Sequence, residues 1–191
     1  MNFIKSVKFD SSYPYAPKLK LPQFAFCGRS NVGKSSLINA ILNRNIAHIS
    51  KTPGKTTLIN TFIINEMFYL VDLPGYGYAK RSKSMLKSWQ YMINNYLKYS
   101  DNLIMVYVLI DSRHKAMKSD MDFIEWLVYY HKPFNIVFTK SDKSSQKIIN
   151  ENIENLIKQS NIPYFLTSAK KKKGIDKICR SMRINLENIL A

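Results

Sequence analysis

Residues 28–35 read Gly28-Arg29-Ser30-Asn31-Val32-Gly33-Lys34-Ser35 and fill every fixed position of the pattern G-x-x-x-x-G-K-[ST]. Gly28 and Gly33 let the backbone turn where a side chain would clash, so that main-chain N–H groups can surround phosphate oxygens. Lys34 supplies a positive charge for the β- and γ-phosphates, and the Ser35 hydroxyl is a ligand for Mg²⁺. The stretch therefore predicts a loop that binds a nucleoside diphosphate or triphosphate.

The residues on either side of this loop fit the same interpretation. Phe24-Ala25-Phe26-Cys27 is a short apolar run that predicts a buried strand, and residues 36–43 continue as a helix. The N-terminus of that helix carries a partial positive charge that faces the phosphates. We therefore expect Ser36 to contact the nucleotide together with the eight residues of the loop.

A second motif, Asp72-Leu73-Pro74-Gly75, follows the apolar run 67–71. An aspartate at the carboxyl end of a strand can reach Mg²⁺ through water, and the glycine amide can approach the γ-phosphate. We expect all four residues to line the nucleotide site, with Asp72 serving the metal.

Two later motifs predict that the base is guanine. Thr139-Lys140-Ser141-Asp142 follows the apolar run 134–138, and its aspartate can accept both the ring N–H and the exocyclic amine of guanine. Adenine, which lacks that donor pair, would leave the buried carboxylate unsatisfied, at a cost of a factor of about 10⁴. Thr167-Ser168-Ala169 follows the run 162–166 and can offer a main-chain amide to the guanine oxygen.

The rest of the chain predicts an α/β fold. Its 191 residues are 46% hydrophobic and alternate between strand-like and helix-like segments. The expected strands are 24–27, 57–64, 67–71, 103–110, 134–138 and 162–166. The expected helices are 35–43, 85–99, 119–131, 146–159 and 173–190. This pattern predicts a mostly parallel six-stranded sheet with one antiparallel edge strand, a hairpin at Asn65-Glu66, and helices on both faces. We expect residues 1–23 to be an N-terminal extension and 24–191 to be the nucleotide-binding domain.

The net charge of +16, from 29 basic and 13 acidic residues, indicates a polyanionic partner. Basic residues cluster at 80–83 and 170–173, and we favour nucleic acid over a merely solvated surface, with contacts mostly to phosphates. Aromatic residues at helical spacing are interpreted as packing residues rather than as a base-stacking surface. They are Trp89, Tyr91, Tyr96, Tyr99, Phe123, Trp126, Tyr129 and Tyr130.

The sequence closely resembles the EngB family of bacterial GTPases, also called YihA or YsxC. The resemblance extends from about residue 20 to the end of the chain. It is carried by the loop at 28–35, by Ser50-Lys51-Thr52-Pro53-Gly54-Lys55-Thr56, and by Asp72-Leu73-Pro74-Gly75-Tyr76-Gly77-Tyr78-Ala79. It implies a P-loop GTPase of Ras-like fold that binds GTP and GDP with Mg²⁺ and takes part in assembly of the large ribosomal subunit.

The resemblance also implies roles for single residues. Gly54, Lys55 and Thr56 would contact the nucleotide, and Thr56 would be the switch threonine that closes on Mg²⁺ and the γ-phosphate, with Thr57 as the neighbouring alternative. The implied catalytic set is Lys34, Thr56, Gly75 and Asn31, and the implied metal ligands are Ser35, Thr56 and Asp72.

Two positions bear on the rate of hydrolysis. Many small GTPases place a glutamine after the glycine that corresponds to Gly75, and this chain has Tyr76 there, which predicts slow hydrolysis without a partner. Asn31 resembles the asparagine of GTPases that hold K⁺ beside the phosphates; alternatively, it only stabilises the loop turn.

Other classes of protein predict features that we do not find in the sequence. A membrane or signalling switch would show a lipidation site or an anchor, and its basic surface would then bind RNA only non-specifically. A P-loop kinase would need no guanine motif. The resemblance implies the large ribosomal subunit as partner, and we expect no membrane or DNA partner, a cytoplasmic location and a monomer.

Overall fold

The computed structural model describes residues 3–47, 58–76, 83–157 and 162–190. The strands are β1 (Val7–Tyr13), β2 (Gln23–Gly28), β3 (Ile59–Ile64), β4 (Phe68–Asp72), β5 (Leu103–Asp111), β6 (Phe134–Thr139) and β7 (Tyr164–Leu166). The α-helices are α1 (Lys34–Leu42), α2 (Lys83–Tyr99), α3 (Lys118–Tyr129), α4 (Gln146–Ile157) and α5 (Ile175–Leu190). One turn of 3₁₀ helix follows β6 at Ser141–Lys143.

The sheet has the order β1-β3-β4-β2-β5-β6-β7 within these residues. β3 runs antiparallel to both of its neighbours, and the pairs formed by β4, β2, β5, β6 and β7 are all parallel. β2 therefore lies in the centre of the sheet, and the phosphate loop leaves from its carboxyl end, the usual place for ligands in open α/β sheets. The predicted Ras-like α/β fold is confirmed.

The strand count differs from the prediction: the sheet has seven strands, because β1, inside residues 1–23, pairs with β3. β3 is consequently not at the edge, and β1 takes that place. The sequence of β1 hides the strand, since Lys8, Asp10, Ser11 and Ser12 interrupt any apolar run and most of its side chains stay partly exposed. An edge strand with one solvated face needs little hydrophobic patterning.

The predicted hairpin between β3 and β4 is confirmed, and its turn also fixes the start of the chain. Asn65 and Glu66 have φ values of 52° and 58°, the left-handed geometry of a type I′ turn. Oδ1 of Asn65 accepts hydrogen bonds from the main-chain nitrogens of Lys5 and Ser6, at 2.7 and 3.0 Å. The turn thereby guides the N-terminal segment into β1.

Alternation along β2 divides the core into two layers. Phe24 and Phe26 pack on the side of the sheet that α1 and α5 cover. Ala25 and Cys27 pack on the other side, with residues of α2, α3 and α4. The helices therefore lie on both faces, as predicted, and every residue of β2 is buried, as expected for a central parallel strand.

Several aromatic side chains lie on the surface. Tyr91, Tyr99 and Tyr129 are 71%, 67% and 75% exposed, so the interpretation as packing residues is wrong for these three, whereas Tyr96 is fully buried as predicted. Helical spacing alone does not tell a buried face from an exposed one when aromatic residues occur on both. Among the described residues, no helix combines the length and the apolar character needed to cross a membrane.

Candidate nucleotide site

The phosphate loop has the backbone geometry that the glycines predict. Gly33 has a φ of 102° and caps the start of α1, and Asn31 also lies in the left-handed region, at 64°. A Cβ atom on Gly28 would lie 2.9 Å from the Cβ and from the carbonyl oxygen of Leu109, so only glycine fits there. Left-handed residues within such a turn direct successive N–H groups inward and form a concavity for anions.

Lys34 and Asp72 are joined directly. Nζ of Lys34 donates a hydrogen bond to Oδ1 of Asp72, and both side chains are buried. Lys34 is the first residue of α1 and Asp72 is the last residue of β4. This ion pair therefore brings the first and second sequence motifs together at the carboxyl ends of the central strands. The pair keeps an ammonium and a carboxylate, each costly to bury alone, next to the phosphate loop.

The base-reading motif, residues 139–142, is hydrogen-bonded to the same loop. Oγ1 of Thr139 donates to the carbonyl oxygen of Val32 at 2.6 Å, and Nζ of Lys140 donates to that of Asn31 at 2.7 Å. The structure therefore brings the phosphate loop and residues 139–140 together, although more than 100 positions separate them in the sequence.

Lys140 is held in place by a carboxylate that none of the sequence motifs contains. Asp111, the last residue of β5, accepts a 2.8 Å hydrogen bond from Nζ of Lys140, and Arg113 donates to both of its carboxylate oxygens, through Nε to Oδ1 and through Nη2 to Oδ2. Burial acts to raise the pKa of Asp111, but the hydrogen bonds from Arg113 and Lys140 outweigh it and lower the pKa to about 2. The only available sequence signal was an aspartate at the carboxyl end of a strand, which is weak without a neighbouring motif.

A cavity of about 160 Å³ lies between the phosphate loop and the last two motifs. One water molecule occupies ~30 Å³ in the liquid, so the cavity has room for a group of the size of a heterocycle. Its lining consists of Gly33, Ser36, Leu37, Thr139, Lys140, Asp142, Lys143, Thr167, Ser168, Ala169 and Lys170. Eight of these residues are predicted nucleotide contacts, and Leu37, Lys143 and Lys170 are additional.

The polar groups around this cavity fit a ligand with several donors and acceptors. The hydroxyl of Ser141 is buried and has no hydrogen-bond partner among the described residues. The main-chain nitrogen of Ser141 donates to the carbonyl oxygen of Thr167 at 3.0 Å, which joins the two base-reading motifs. A hydrogen bond with Ser168 lowers the pKa of Asp142, so that this side chain carries an acceptor carboxylate at neutral pH.

Asp142 differs from the prediction in one respect. Its side chain is exposed, whereas the argument against adenine assumed a buried carboxylate. Without a nucleotide, water satisfies this carboxylate, so the burial on which discrimination against adenine depends would come from the bound base itself.

The loop that carries Ser168 and Ala169 is a tight turn. Ser168 and Lys173 exchange two main-chain hydrogen bonds of 3.0 Å, and Gly174 follows with a φ of 72°. A Cβ on Gly174 would lie 2.2 Å from the carbonyl oxygen of Leu166. This glycine therefore allows the end of the turn to pack directly against the main chain of Leu166 in β7. Lys170 to Lys173, which form this turn, are all exposed.

The residues after Asp72 lie against the phosphate loop. Leu73 is fully buried, and its nitrogen donates to the carbonyl oxygen of Phe26 at 3.0 Å. Pro74 is buried as well, and a Cβ on Gly75 would come within 3.0 Å of the nitrogen of Ser30. Tyr76 turns its side chain into the protein, where it is only 5% exposed.

The donors for a magnesium ion are those expected of a nucleotide-bound metal. No cluster of three or more His, Cys, Asp or Glu residues occurs among the described positions. Ser35 and Asp72 instead offer one hydroxyl and one carboxylate beside a phosphate-binding loop. This set fits Mg²⁺, which is held in such sites by one or two carboxylates together with substrate phosphates and water. Gly54, Lys55, Thr56 and its alternative Thr57 lie outside the described residues.

Comparison with known proteins agrees with this geometry. Residues 23–140 match the family model described as "50S ribosome-binding GTPase". A protein of Christiangramia forsetii named "Probable GTP-binding protein EngB" is 49% identical over 185 residues, which cover 92% of this chain and 93% of that protein. An identically named protein of Caldanaerobacter subterraneus subsp. tengcongensis is 45% identical, over 93% and 92% of the two chains.

Solved structures show the same fold. A crystal structure of a probable GTP-binding protein engB superposes with a TM-score of 0.72 at 22% identity, covering 87% of this chain and 99% of that one. The structure of Aquifex aeolicus Era bound to GDP·AlF₄⁻ gives a TM-score of 0.69 at 24% identity, over 86% and 56% of the two chains. The four motifs in their expected places and the relatives that span nearly the whole chain lead to one conclusion: the chain belongs to the EngB family and is a P-loop GTPase of Ras-like fold.

Proposed function

We propose that this protein is a GTP-driven switch that acts in assembly of the large ribosomal subunit, in the cytoplasm and as a monomer. One observation supports the ribosomal partner most directly: the family model that matches residues 23–140 describes a 50S ribosome-binding GTPase. The net charge of +16 is consistent with a target rich in RNA phosphates, as are the exposed lysines at 170–173 beside the cavity.

In this proposal the phosphate loop binds and orients the nucleotide. The main-chain amides of residues 28–36 and the ammonium of Lys34 hold the phosphates, and Asp72 keeps that ammonium in place through their ion pair. Ser35, Thr56 and Asp72 would hold Mg²⁺, the last through water. When bound, Mg²⁺ neutralises charge that develops on the phosphate oxygens.

The cavity would hold the guanine base. The carboxylate of Asp142 would accept from the ring N–H and the exocyclic amine, and an amide of the loop around Ser168 and Ala169 would donate to the guanine oxygen. Lys140, fixed between Asn31 and Asp111, would cover one side of the base with its methylene groups.

The switch would depend on the contact between the γ-phosphate and the Gly75 amide. Loss of that phosphate on hydrolysis would relax residues 44–57 and 74–84 and weaken the partner interface, which gives a timed release. The buried side chain of Tyr76 cannot orient an attacking water, in agreement with slow hydrolysis by the chain alone.

Co-sedimentation with purified ribosomal subunits tests the proposal. The protein is mixed with large or small subunits in a non-hydrolysable GTP analogue, in GDP or without nucleotide, across a salt series. We expect binding to the large subunit that requires the analogue and survives moderate salt.

Equal binding in every nucleotide state, lost as salt rises, would contradict the proposal. The basic surface would then give only non-specific adhesion to RNA, and the switch would serve a different partner.

A further inference from the structure

Two residues of α3 hold the side chain of Tyr76, the residue directly after Gly75. The hydroxyl of Tyr76 donates a 2.9 Å hydrogen bond to Oδ1 of Asp120, in the first turn of α3. Its ring lies 5.1 Å, centroid to centroid, from that of Phe123 on the same helix. Tyr76 and Asp120 are only 5% and 2% exposed, so water cannot readily replace this hydrogen bond.

The main chain of Tyr76 is bound to the phosphate loop. Its N–H donates to the carbonyl oxygen of Gly28 at 3.2 Å, and its carbonyl oxygen accepts from the nitrogen of Ser30 at 3.1 Å. Gly75 lies in contact with the same loop, since a Cβ there would approach the nitrogen of Ser30 to 3.0 Å. The position of the Gly75 amide therefore depends on what holds Tyr76.

Asp120 is itself fixed, which makes it a firm anchor. Its Oδ2 accepts a 2.9 Å hydrogen bond from the nitrogen of Met117 and so caps the start of α3. Nη1 of Arg29, in the phosphate loop, lies 4.0 Å from the same oxygen. Burial raises the pKa of Asp120, while the bonds from Met117 and Tyr76 and the charge of Arg29 favour its carboxylate form. If Tyr76 and Asp120 moved together, the hydrogen bond that caps the start of α3 would break.

We propose that Asp120 is a positioning residue for GTP: through Tyr76 it holds the Gly75 amide beside the phosphate loop, where the γ-phosphate would meet it. The inference rests on the proposed function and explains how Gly75 performs the part assigned to it there. GDP has no γ-phosphate and gains nothing from a fixed Gly75 amide. The anchor should therefore favour GTP over GDP.

A purely structural role for the same hydrogen bond predicts a different result. If Asp120 and Tyr76 only stabilise the fold, their loss lowers the free energy of unfolding and leaves the ratio of the two affinities unchanged, because GTP and GDP bind the same folded state. The ratio of the two dissociation constants separates the roles.

The test uses Tyr76→Phe, which removes one hydroxyl and keeps the ring against Phe123. Dissociation constants for a non-hydrolysable GTP analogue and for GDP are measured with Mg²⁺. We expect the dissociation constant of the analogue to rise about three- to tenfold, which corresponds to part of the free energy of one buried hydrogen bond. The dissociation constant of GDP should change by less than about twofold. Amide hydrogen exchange at Ser30 and Tyr76 should also become faster.

Tyr96→Phe is the matched control. The hydroxyl of Tyr96 donates a 2.8 Å hydrogen bond to Oε1 of Gln23, and both residues are buried. Gln23 opens β2, whereas the phosphate loop follows its other end, so this substitution makes the same chemical change far from the nucleotide. It should lower stability without altering the ratio.

An unchanged ratio in Tyr76→Phe, or an equal change in Tyr96→Phe, would overturn the inference while leaving the proposed function intact. Failure of the wild-type protein to bind either guanine nucleotide would be a separate result and would overturn both.

Discussion

The ammonium of Lys140 lies 2.7 Å from the main-chain oxygen of Asn31 and donates a hydrogen bond to it. Together with the bond from Thr139 to Val32, this contact makes the phosphate loop and the base-reading segment a single unit. A nucleotide that binds there would meet both halves of the site in fixed relative positions, which lowers the cost of ordering them on binding.

Lys34→Ala should abolish tight binding of GTP and also destabilise the protein. The substitution leaves the buried carboxylate of Asp72 without its cation, which typically costs about 3–5 kcal/mol. The double variant Lys34→Ala/Asp72→Asn removes both charges and should recover part of that stability without recovering GTP affinity. Urea unfolding and nucleotide titration measure the two effects, and recovery of GTP binding by the double variant would contradict the role of Lys34.

Asp142→Asn should shift base preference from guanine to xanthine. The carboxylate accepts two hydrogen bonds, while the amide offers one acceptor and one donor, and xanthine presents the complementary pattern. Since Asp142 is exposed, the melting temperature should hardly change. Competition between GTP and XTP is the measurement, with the exposed Asp101→Asn as control. A variant that still prefers GTP would argue against base reading by Asp142.

Asp111→Asn should flatten the dependence of stability on acid. The pKa of Asp111 falls from 3.8 to about 2 on folding, so its contribution is fully present above about pH 4 and is lost as the pH falls toward 2. After allowance for solvent screening, the contribution is about 1–2 kcal/mol. Urea unfolding at pH 7, 4 and 3 should show the variant less stable than wild type at pH 7 and the difference shrinking in acid. A constant difference would contradict this assignment.

Gly174→Ala should destabilise the protein and weaken nucleotide binding together. The new methyl group meets the carbonyl oxygen of Leu166 in a backbone conformation that alanine disfavours, at a cost of more than about 1 kcal/mol. Relief of the clash would displace the turn that holds Ser168 and Ala169. Lys172→Gly, at a neighbouring position with a φ of 50°, should be neutral or slightly stabilising. Thermal unfolding and GDP titration compare the melting temperature and the GDP affinity of the two variants. Equal values for both variants would contradict the prediction, because they would mean that the turn adjusts freely to the new methyl group.

Hydrolysis should be faster in K⁺ than in Na⁺ at equal ionic strength, and Asn31→Gly should remove the difference. Glycine tolerates the φ of 64° found at this position, so the variant loses the side chain without backbone strain. Steady-state phosphate release, with and without ribosomal subunits, measures the effect. If Asn31→Gly keeps the stimulation, Asn31 only stabilises the turn.

Elements could be predicted from the sequence wherever one local motif determines the backbone geometry. The loop at 28–35 fixes a strand, a turn and a helix within one segment, and the helix predicted at 35–43 is observed at Lys34–Leu42. The parallel strands could be predicted because burial on both faces produces continuous apolar runs.

What could not be predicted are contacts between distant residues that carry no pattern of their own. Tyr76 and Asp120 are 44 positions apart, and neither belongs to a spacing that predicts their hydrogen bond. The hydrogen bond between Lys140 and Asp111, which Arg113 also contacts, could not be predicted for the same reason: it forms only because β5 and β6 lie side by side.

The pairing of β1 with β3 also bears on how the protein avoids self-association. β1 satisfies the main-chain groups along the outer side of β3, whose residues Ile59, Phe62 and Ile64 are almost fully buried. Without β1, that side would be an open template for another chain. β1 itself presents the exposed Lys8 and shifts register between Phe9 and Ser11, and a charge and an irregularity of this kind discourage further strand addition. A fragment that begins at Phe24 should therefore aggregate even with its nucleotide site complete.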